Sequence, residues 1–291
     1  MVMVINWFFK RITWFVDVII YDGHLTAISA ACMSFLPVIL IKLPVSKIIT
    51  IIPFVACEII YSFNRYKERF HDDSGIRNSG LLKRKKFFIP FFIFLSLLFI
   101  GYLIWFKNLL LLIFSCVITI MGVFYSIFIK KLTKLIPGIK NFFVAFCWAS
   151  ITILPFTFYN NLLLSYFSAL IIFSFVFISV LLFEIFLDFR DIKEDKKRSL
   201  ITFPIVLKKS SLAFLLLFIN FFSIIPIFLG FYFNFLPKTV SILLLSFFYN
   251  LIFITIIAGK INVGKKFFEP LVDCGKILWI IEVIFFSNLL L

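Results

Sequence analysis

Residues 162–187 read LLLSYFSALIIFSFVFISVLLFEIFL, an apolar run with a single charge, Glu184, close to its end. As a helix rising about 1.5 Å per residue, this run is long enough to cross the roughly 30 Å hydrocarbon core of a bilayer. Comparable runs recur along the whole chain. We predict nine transmembrane helices, at approximately 22–41, 47–63, 87–106, 108–129, 141–159, 162–187, 211–232, 237–258 and 272–290.

The composition supports an integral membrane protein. Of 291 residues, 63% are hydrophobic and only 15% are charged, whereas a soluble domain has about 45–50% apolar and about 25% charged residues. The five cysteines stand singly, with no CxxC pair, and are interpreted as small buried side chains. These features exclude a secreted disulfide scaffold, a disordered tail and a cytosolic dinucleotide-binding enzyme. We predict one polytopic domain over 1–291, with an interfacial amphipathic helix at 1–20.

The positive charge of the chain follows its predicted topology. The net charge is +15, and 24 of the 29 Lys and Arg residues lie in the N-terminal segment or after the even-numbered spans. By the positive-inside rule, the N-terminus and these loops are cytoplasmic and the C-terminus is outside. The basic charge is therefore not evidence for nucleic-acid binding. We expect a bacterial inner (plasma) membrane protein in contact with lipid, without an obligate protein partner.

Two short windows contain eight of the 14 Asp and Glu residues, each window at the cytoplasmic end of a predicted span. The first window has polar ligands spaced i, i+4 and i+8: Asn64, Glu68 and Asp72. The second has carboxylates spaced i, i+3 and i+7: Asp188, Asp191 and Asp195. These spacings place each set on one face of a helix that continues out of the membrane.

Such sets of acids need a positive partner, because like charges on one helical face repel each other. Oxygen ligands with space left for phosphate oxygens suit Mg²⁺. Two facing sets could hold Mg²⁺ ions that bridge a diphosphate. The alternative is that the acids merely solvate two cytoplasmic loops. The repetition of the pattern at equivalent ends of two spans favours a functional site.

These residues resemble a known family. The two acidic windows, together with Ser199-Leu-Ile-Thr-Phe-Pro204, look like the aspartate-rich motifs of the UbiA superfamily of intramembrane prenyltransferases. Between the windows, Tyr125-Ser126, Lys130-Lys131 and Ile136-Pro-Gly-Ile-Lys-Asn141 resemble a further segment of that family. The resemblance covers essentially the whole chain. The first motif departs from the usual pattern, with Glu68 where Asp is commoner and Arg65 directly after Asn64.

The resemblance implies an all-α bundle of nine transmembrane helices around a central cavity, with cytoplasmic motif loops at 64–86 and 188–209. It implies transfer of an isoprenoid from a prenyl diphosphate to an aromatic, quinoid or lipid acceptor, with release of diphosphate. This is a reaction of the class that transfers alkyl or aryl groups other than methyl. Two Mg²⁺ ions are expected, one on each motif.

The expected roles divide among three groups of residues. The metal ligands are Asn64, Glu68, Asp72, Asp188, Asp191 and Asp195. The diphosphate-binding residues are Asn64, Arg65, Tyr125, Lys130, Lys131 and Arg190. The catalytic residues are Asp191, Asp195 and Lys130.

Other readings remain open at the level of sequence. A carbocation that closes on itself would make the protein a membrane terpene cyclase. A transporter or lipid-binding protein is disfavoured, because such proteins commonly place carboxylates near the middle of the membrane. Within the spans, Glu58 and Glu184 could orient or deprotonate an acceptor, or pair with another helix. His24 and His71 have no partner at metal-ligand spacing.

Overall fold

A computed structural model describes residues 23–68, 85–159, 166–264 and 267–289. The predicted interfacial helix at 1–20 and residues 69–84 of the first motif loop lie outside the described residues. Within the described ranges the regular structure is entirely helical. The fold class predicted from composition and apolar runs is therefore confirmed as all-α.

The longer helices are numbered here in chain order. They are α1 His24–Leu40, α2 Lys47–Glu68, α3 Lys85–Trp105, α4 Leu109–Phe124, α5 Ile139–Ile151, α6 Tyr166–Arg190, α7 Lys209–Tyr232, α8 Leu245–Ile257 and α9 Phe268–Leu289. Shorter segments lie between them: a π-helical turn Tyr125–Ile129, Lys130–Leu132, Leu154–Phe158, Ile192–Lys197, Phe203–Val206 and a 3₁₀ segment Lys238–Leu244.

Five helical stretches in the described part of the chain are long and apolar enough to cross a bilayer. They are Lys47–Asn64, Leu109–Ile129, Tyr166–Arg190, Lys209–Tyr232 and Lys238–Ile257. Three shorter apolar helices accompany them: His24–Leu40, Phe92–Trp105 and Ile139–Ile151. The membrane character of the chain is thus supported, while the number of nine spans stays a prediction.

The boundaries differ from the predicted ones where the backbone changes direction. The predicted span 141–159 is divided, because α5 ends at Ile151 and the chain turns before the short helix Leu154–Phe158. Pro155 stands in the first turn of that short helix, where a missing N–H costs no hydrogen bond. The predicted span 237–258 begins with the 3₁₀ segment Lys238–Leu244. In contrast, α6 extends past the predicted end at 187 to Arg190.

Two apolar clusters hold the bundle together. The larger cluster joins α1, α5, α6, α7, α8 and α9 with Cys57 of α2, and the smaller one joins α1, α2, α3 and α4. Within the larger cluster, Phe186 of α6 stacks on Phe268 of α9 with ring centroids 4.5 Å apart. Phe183, one turn earlier, stacks on Trp279. These rings fix α6 against α9 at the level just inside the second acidic motif.

Many large apolar side chains lie on the outer surface. The helix α7 exposes a row of large rings: Phe214, Phe218, Phe221, Phe222 and Phe228. An exposed apolar surface of this extent is unfavourable in water and typical of contact with lipid chains.

Candidate active site

The second acidic motif lies at a break between two helices. The helix α6 ends at Arg190, the chain turns at Asp191, and a short helix runs from Ile192 to Lys197. The single continuous helical face expected from Asp188 to Asp195 is therefore interrupted at Asp191. Because of this turn, the side chains of Asp188 and Asp195 are brought to one point while Asp191 meets a different partner.

That common point is the ammonium group of Lys140. Its Nζ lies 2.7 Å from Oδ1 of Asp188 and 3.1 Å from Oδ2 of Asp195. The amide of Asn141 donates a hydrogen bond to the other oxygen of Asp188, at 2.9 Å. Each of the two aspartates is only 5% exposed. A buried carboxylate is costly unless it is paired, and here two carboxylates share the ammonium group of one lysine.

Lys140 and Asn141 were not among the residues predicted for the site. Both belong to the segment Ile136–Asn141, whose resemblance to the family was the available signal. They stand at the start of α5, just after Gly138, which has a positive φ of 74°. A Cβ at Gly138 would overlap the ring of Phe203. The loop before α5 therefore packs closely against the segment that follows the second motif.

A backbone hydrogen bond fastens the same two segments together. The N–H of Ile201 donates to the carbonyl of Thr133 at 2.9 Å. The loop after α4 and the loop after the second motif are consequently neighbours, and Lys140 reaches Asp188 and Asp195 from the first of them.

Asp191 is held by its neighbour in sequence. The guanidinium of Arg190 donates two hydrogen bonds to the carboxylate of Asp191, each at 2.7 Å. It also pairs with Glu269 of α9 at 3.1 Å. Arg190, predicted to bind diphosphate, thus links the second motif to the start of α9. Glu269 was not predicted, since it preceded the expected last span.

The structure locates some of the other predicted residues near this centre. Tyr125 lies in the π-helical turn, stacks on Phe143 with centroids 6.2 Å apart, and interacts electrostatically with Lys140. Lys131 is exposed. The side chain of Lys130 lies outside the described part.

The first motif is described only in part. Asn64 is partly buried on α2. Arg65 and Glu68 belong to the last turn of α2, but their side chains lie outside the described part, as does the whole of Asp72. The metal site expected on this motif therefore stays a prediction. Deeper in the bundle, a carboxylate oxygen of Glu58 on α2 lies 2.6 Å from Nδ1 of His24 on α1. Of the two alternatives predicted for Glu58, the structure therefore supports pairing with another helix.

The donor chemistry of the second motif fits a hard cation. Among the described residues, no three His, Cys, Asp or Glu side chains gather into a metal-binding group. Asp188 and Asp195 nevertheless direct carboxylate oxygens at one positive centre, which is the ligand type that Mg²⁺ prefers. The ammonium of Lys140 supplies that positive charge in this structure.

Comparisons with known proteins agree on the fold. The structure is similar to that of a digeranylgeranylglyceryl phosphate synthase, with a TM-score of 0.58 and 19% identity over 92% of this chain and 94% of the other. It is also similar to the apo structure of a UbiA homologue from Aeropyrum pernix K1, with a TM-score of 0.67 and 12% identity over 90% of this chain and 98% of the other. A search of curated protein sequences finds no match.

The family assignment comes from the sequence itself. The sequence model of the UbiA prenyltransferase family matches residues 25–260 of this chain. This range includes the described parts of both motifs and the segment with Lys140. Members of this family are generally Mg²⁺-dependent and act on a prenyl diphosphate and a lipophilic acceptor. The chain belongs to the UbiA prenyltransferase family and is an integral membrane prenyltransferase.

Proposed function

We propose that this protein transfers an isoprenoid from a prenyl diphosphate to a hydrophobic acceptor at the cytoplasmic end of its helix bundle, in a Mg²⁺-dependent reaction that releases diphosphate. One observation carries the proposal. Asp188 and Asp195 converge with Lys140 and Asn141 at the end of a membrane-length helix. This arrangement combines paired carboxylates with an ammonium donor beside an apolar interior.

The site residues have distinct tasks in this proposal. Asp188, Asp191 and Asp195 would hold one Mg²⁺ ion, and Asn64, Glu68 and Asp72 would hold the other. Bound Mg²⁺ would stabilise the negative charge that develops on the leaving diphosphate. Lys140, together with Lys130 and Lys131, supplies ammonium donors to the diphosphate oxygens. When the diphosphate binds, Lys140 can exchange a carboxylate oxygen for a phosphate oxygen without losing its charge partner.

The apolar interior serves the other half of the substrate. The cleavage of an allylic carbon–oxygen bond leaves a cation that water would capture. Aromatic faces stabilise a nearby cation, and the packed rings of α6, α8 and α9 exclude water. The prenyl chain would therefore lie among the helices while its diphosphate stays at the cytoplasmic mouth.

A release assay tests the proposal. The purified chain, in bilayer nanodiscs with Mg²⁺, is given prenyl diphosphates of several lengths with and without lipid extract, and diphosphate and prenylated products are measured. We expect acceptor-dependent diphosphate release that stops when the metal is chelated. Turnover that continues at the full rate in excess chelator would contradict the Mg²⁺ mechanism. A cyclised hydrocarbon formed without acceptor would instead identify a terpene cyclase.

A further inference from the structure

A second group of polar side chains lies one helical turn deeper in the bundle than the acidic motifs. Glu184 precedes Asp188 by four residues on α6, and Tyr61 precedes Asn64 by three on α2. Spacings of three and four place these side chains on the same helical faces as the motif residues. Tyr61 interacts electrostatically with Glu184 and with Asp273 of α9. Glu184 in turn interacts with Lys276 of α9. We call Tyr61, Glu184, Asp273 and Lys276 the inner tier.

The two residues that α9 contributes to the inner tier, Asp273 and Lys276, form a buried ion pair. Lys276 is 2% exposed and its Nζ lies 3.1 Å from Oδ1 of Asp273, which is 4% exposed. The hydroxyl of Thr26 on α1 donates to the other oxygen of Asp273 at 2.7 Å. The ammonium also lies over the ring of Trp148 of α5, 3.8 Å from its centroid. This pair alone could be explained as a clamp between α1 and α9.

Glu184 is not explained by a clamp. Its carboxylate makes no hydrogen bond or ion pair with any residue in the described ranges, and the residue keeps accessible surface although Asp188, one turn later, is buried. Neighbouring helices therefore do not cover Glu184 completely. An ionisable side chain within a membrane-spanning helix commonly marks a functional position.

The position of Glu184 suits the second substrate of the proposed reaction. A helical turn rises about 5.4 Å. Glu184 therefore lies about one helical turn deeper in the bundle than a diphosphate held at Asp188. The reacting carbon is bonded to that diphosphate, and the attacking atom must approach it within about 3–3.5 Å. An acceptor that approaches from the apolar interior would therefore present its nucleophile beside Glu184.

The charge of the inner tier selects among acceptors. It contains two carboxylates and one ammonium, and the ammonium is already paired with Asp273. A carboxylate on the acceptor would face Glu184 without a free counter-charge among the described residues of the tier. An uncharged hydroxyl, in contrast, can donate a hydrogen bond to Glu184.

From these contacts we propose that the inner tier binds an uncharged hydroxyl group of the acceptor and that Glu184 is the base that receives its proton. This inference rests on the proposed prenyl transfer. In the step, the bond between the prenyl carbon and the diphosphate oxygen breaks, and its electron pair leaves with diphosphate. A lone pair of the acceptor oxygen forms the new bond to that carbon, while the hydroxyl proton passes to the carboxylate of Glu184. Tyr61 and Lys276 position the acceptor oxygen.

Matched acceptor pairs test the selectivity. The purified full-length chain in nanodiscs is given Mg²⁺ and the prenyl diphosphate that releases diphosphate fastest. It then receives 4-hydroxybenzyl alcohol or 4-hydroxybenzoate, and in a second pair 1-O-hexadecylglycerol or the corresponding glyceric acid. We expect prenylated product from at least one neutral compound at about ten times the rate of its acid or more, since the carboxylate of the acid would lie beside that of Glu184 and like charges repel each other.

Variants of Glu184 test its role as the base. Glu184→Gln should lower product formation about a hundredfold, which is the scale of general-base catalysis, and Glu184→Asp should recover part of it. Glu282→Gln is the matched control, because Glu282 is also a carboxylate within a long helix but lies outside the inner tier.

Four outcomes would decide against the inference. If the acids are prenylated as fast as the neutral compounds, if neither class gives product while diphosphate is released, or if Glu184→Gln matches the parent rate, the inner tier is only a structural clamp. If no prenyl diphosphate releases diphosphate at all, the proposed function fails, and the inference fails with it.

Discussion

At the scale of single residues, the centre of the site is a lysine that shares two aspartates. Lys140 contacts Asp188 and Asp195, which come from opposite sides of a helix break. Removal of one member of a buried ion pair leaves an uncompensated charge, at a cost of about 3–5 kcal/mol. Lys140 should therefore matter for the stability of the fold as well as for catalysis.

We predict that Lys140→Met lowers both thermal stability and prenyl transfer. The two carboxylates would lose their shared partner and would repel each other. Lys140→Arg should retain more stability than Lys140→Met, because the charge remains. The measurements are the melting temperature in detergent and the rate of diphosphate release. Lys134→Met is the control, since Lys134 is exposed in the same loop; an equal loss in that variant would contradict the prediction.

We also predict that Asp191→Ala and Asp195→Ala each reduce prenyl transfer by about a hundredfold or more, the scale of a lost electrostatic contact at a leaving group. Glu194→Gln, on the same short helix, should cost much less. Initial rates of product formation, measured at equal amounts of folded protein, check this. Parent rates in both aspartate variants would show that the acids only solvate a loop.

The sequence predicted the acids of this centre but not their partner. Asp188, Asp191 and Asp195 stand out through their spacing and their place after an apolar span. Lys140 is one of 29 Lys and Arg residues. Apart from the resemblance of the segment Ile136–Asn141 to the family, nothing in its local sequence distinguishes it from the basic residues expected in a cytoplasmic loop. Its selection depends on the packing of α5 against α6, which local sequence patterns do not encode.

At the scale of helices, the short connections determine where the site residues lie. Apolar length predicted that α2 and α6 run to the motifs. The turn at Asp191 and the division of the span after Ile151 were not predicted. The turn at Asp191 lies within a charged sequence, and the break after Ile151 lies within an apolar one. The length and hydropathy of these sequences therefore do not predict either change of direction.

Gly138 offers a test of this connecting structure. We predict that Gly138→Ala lowers the melting temperature and the rate of prenyl transfer, because the new Cβ would meet the ring of Phe203 and displace Lys140 at the start of α5. A non-glycine residue in the left-handed region also costs about 1–2 kcal/mol.

Gly259→Ala separates these two effects. Gly259 has a similar φ of 77°, but a Cβ added there would have no neighbouring atom within 4 Å. Thermal melts and rates of both variants, and of the double variant Gly138→Ala with Phe203→Ala, complete the comparison. The prediction fails if Gly138→Ala and Gly259→Ala lose the same stability and the same activity.

At the scale of the whole molecule, composition and apolar runs predicted an all-helical membrane protein, and the resemblance predicted its family. Both are confirmed by the fold and by the match over residues 25–260. Hydropathy alone does not determine the number of spans, because helices such as α1 and α5 are apolar but short. Their place in the bundle depends on their neighbours.

The orientation of the bundle gives a prediction at this scale. In a variant without the five native cysteines, a cysteine at Lys238 should react with a membrane-impermeant thiol reagent added outside the cell. A cysteine at Lys197 should react only after the membrane is opened. The basis is the excess of Lys and Arg in the segments after the even-numbered spans. Labelling of position 197 from outside would reverse the assigned topology.

The ammonium of Lys276 above the ring of Trp148 also has a spectroscopic consequence. Indole fluorescence responds to a charge held over the ring, so the emission of Trp148 depends on where Lys276 lies. The chain has five tryptophans, and replacement of the other four by phenylalanine would leave a single chromophore inside the bundle. A molecule that moved Lys276 away from Trp148 would then shift the wavelength of Trp148 emission. Binding inside the bundle could therefore be measured by tryptophan fluorescence with an unlabelled ligand.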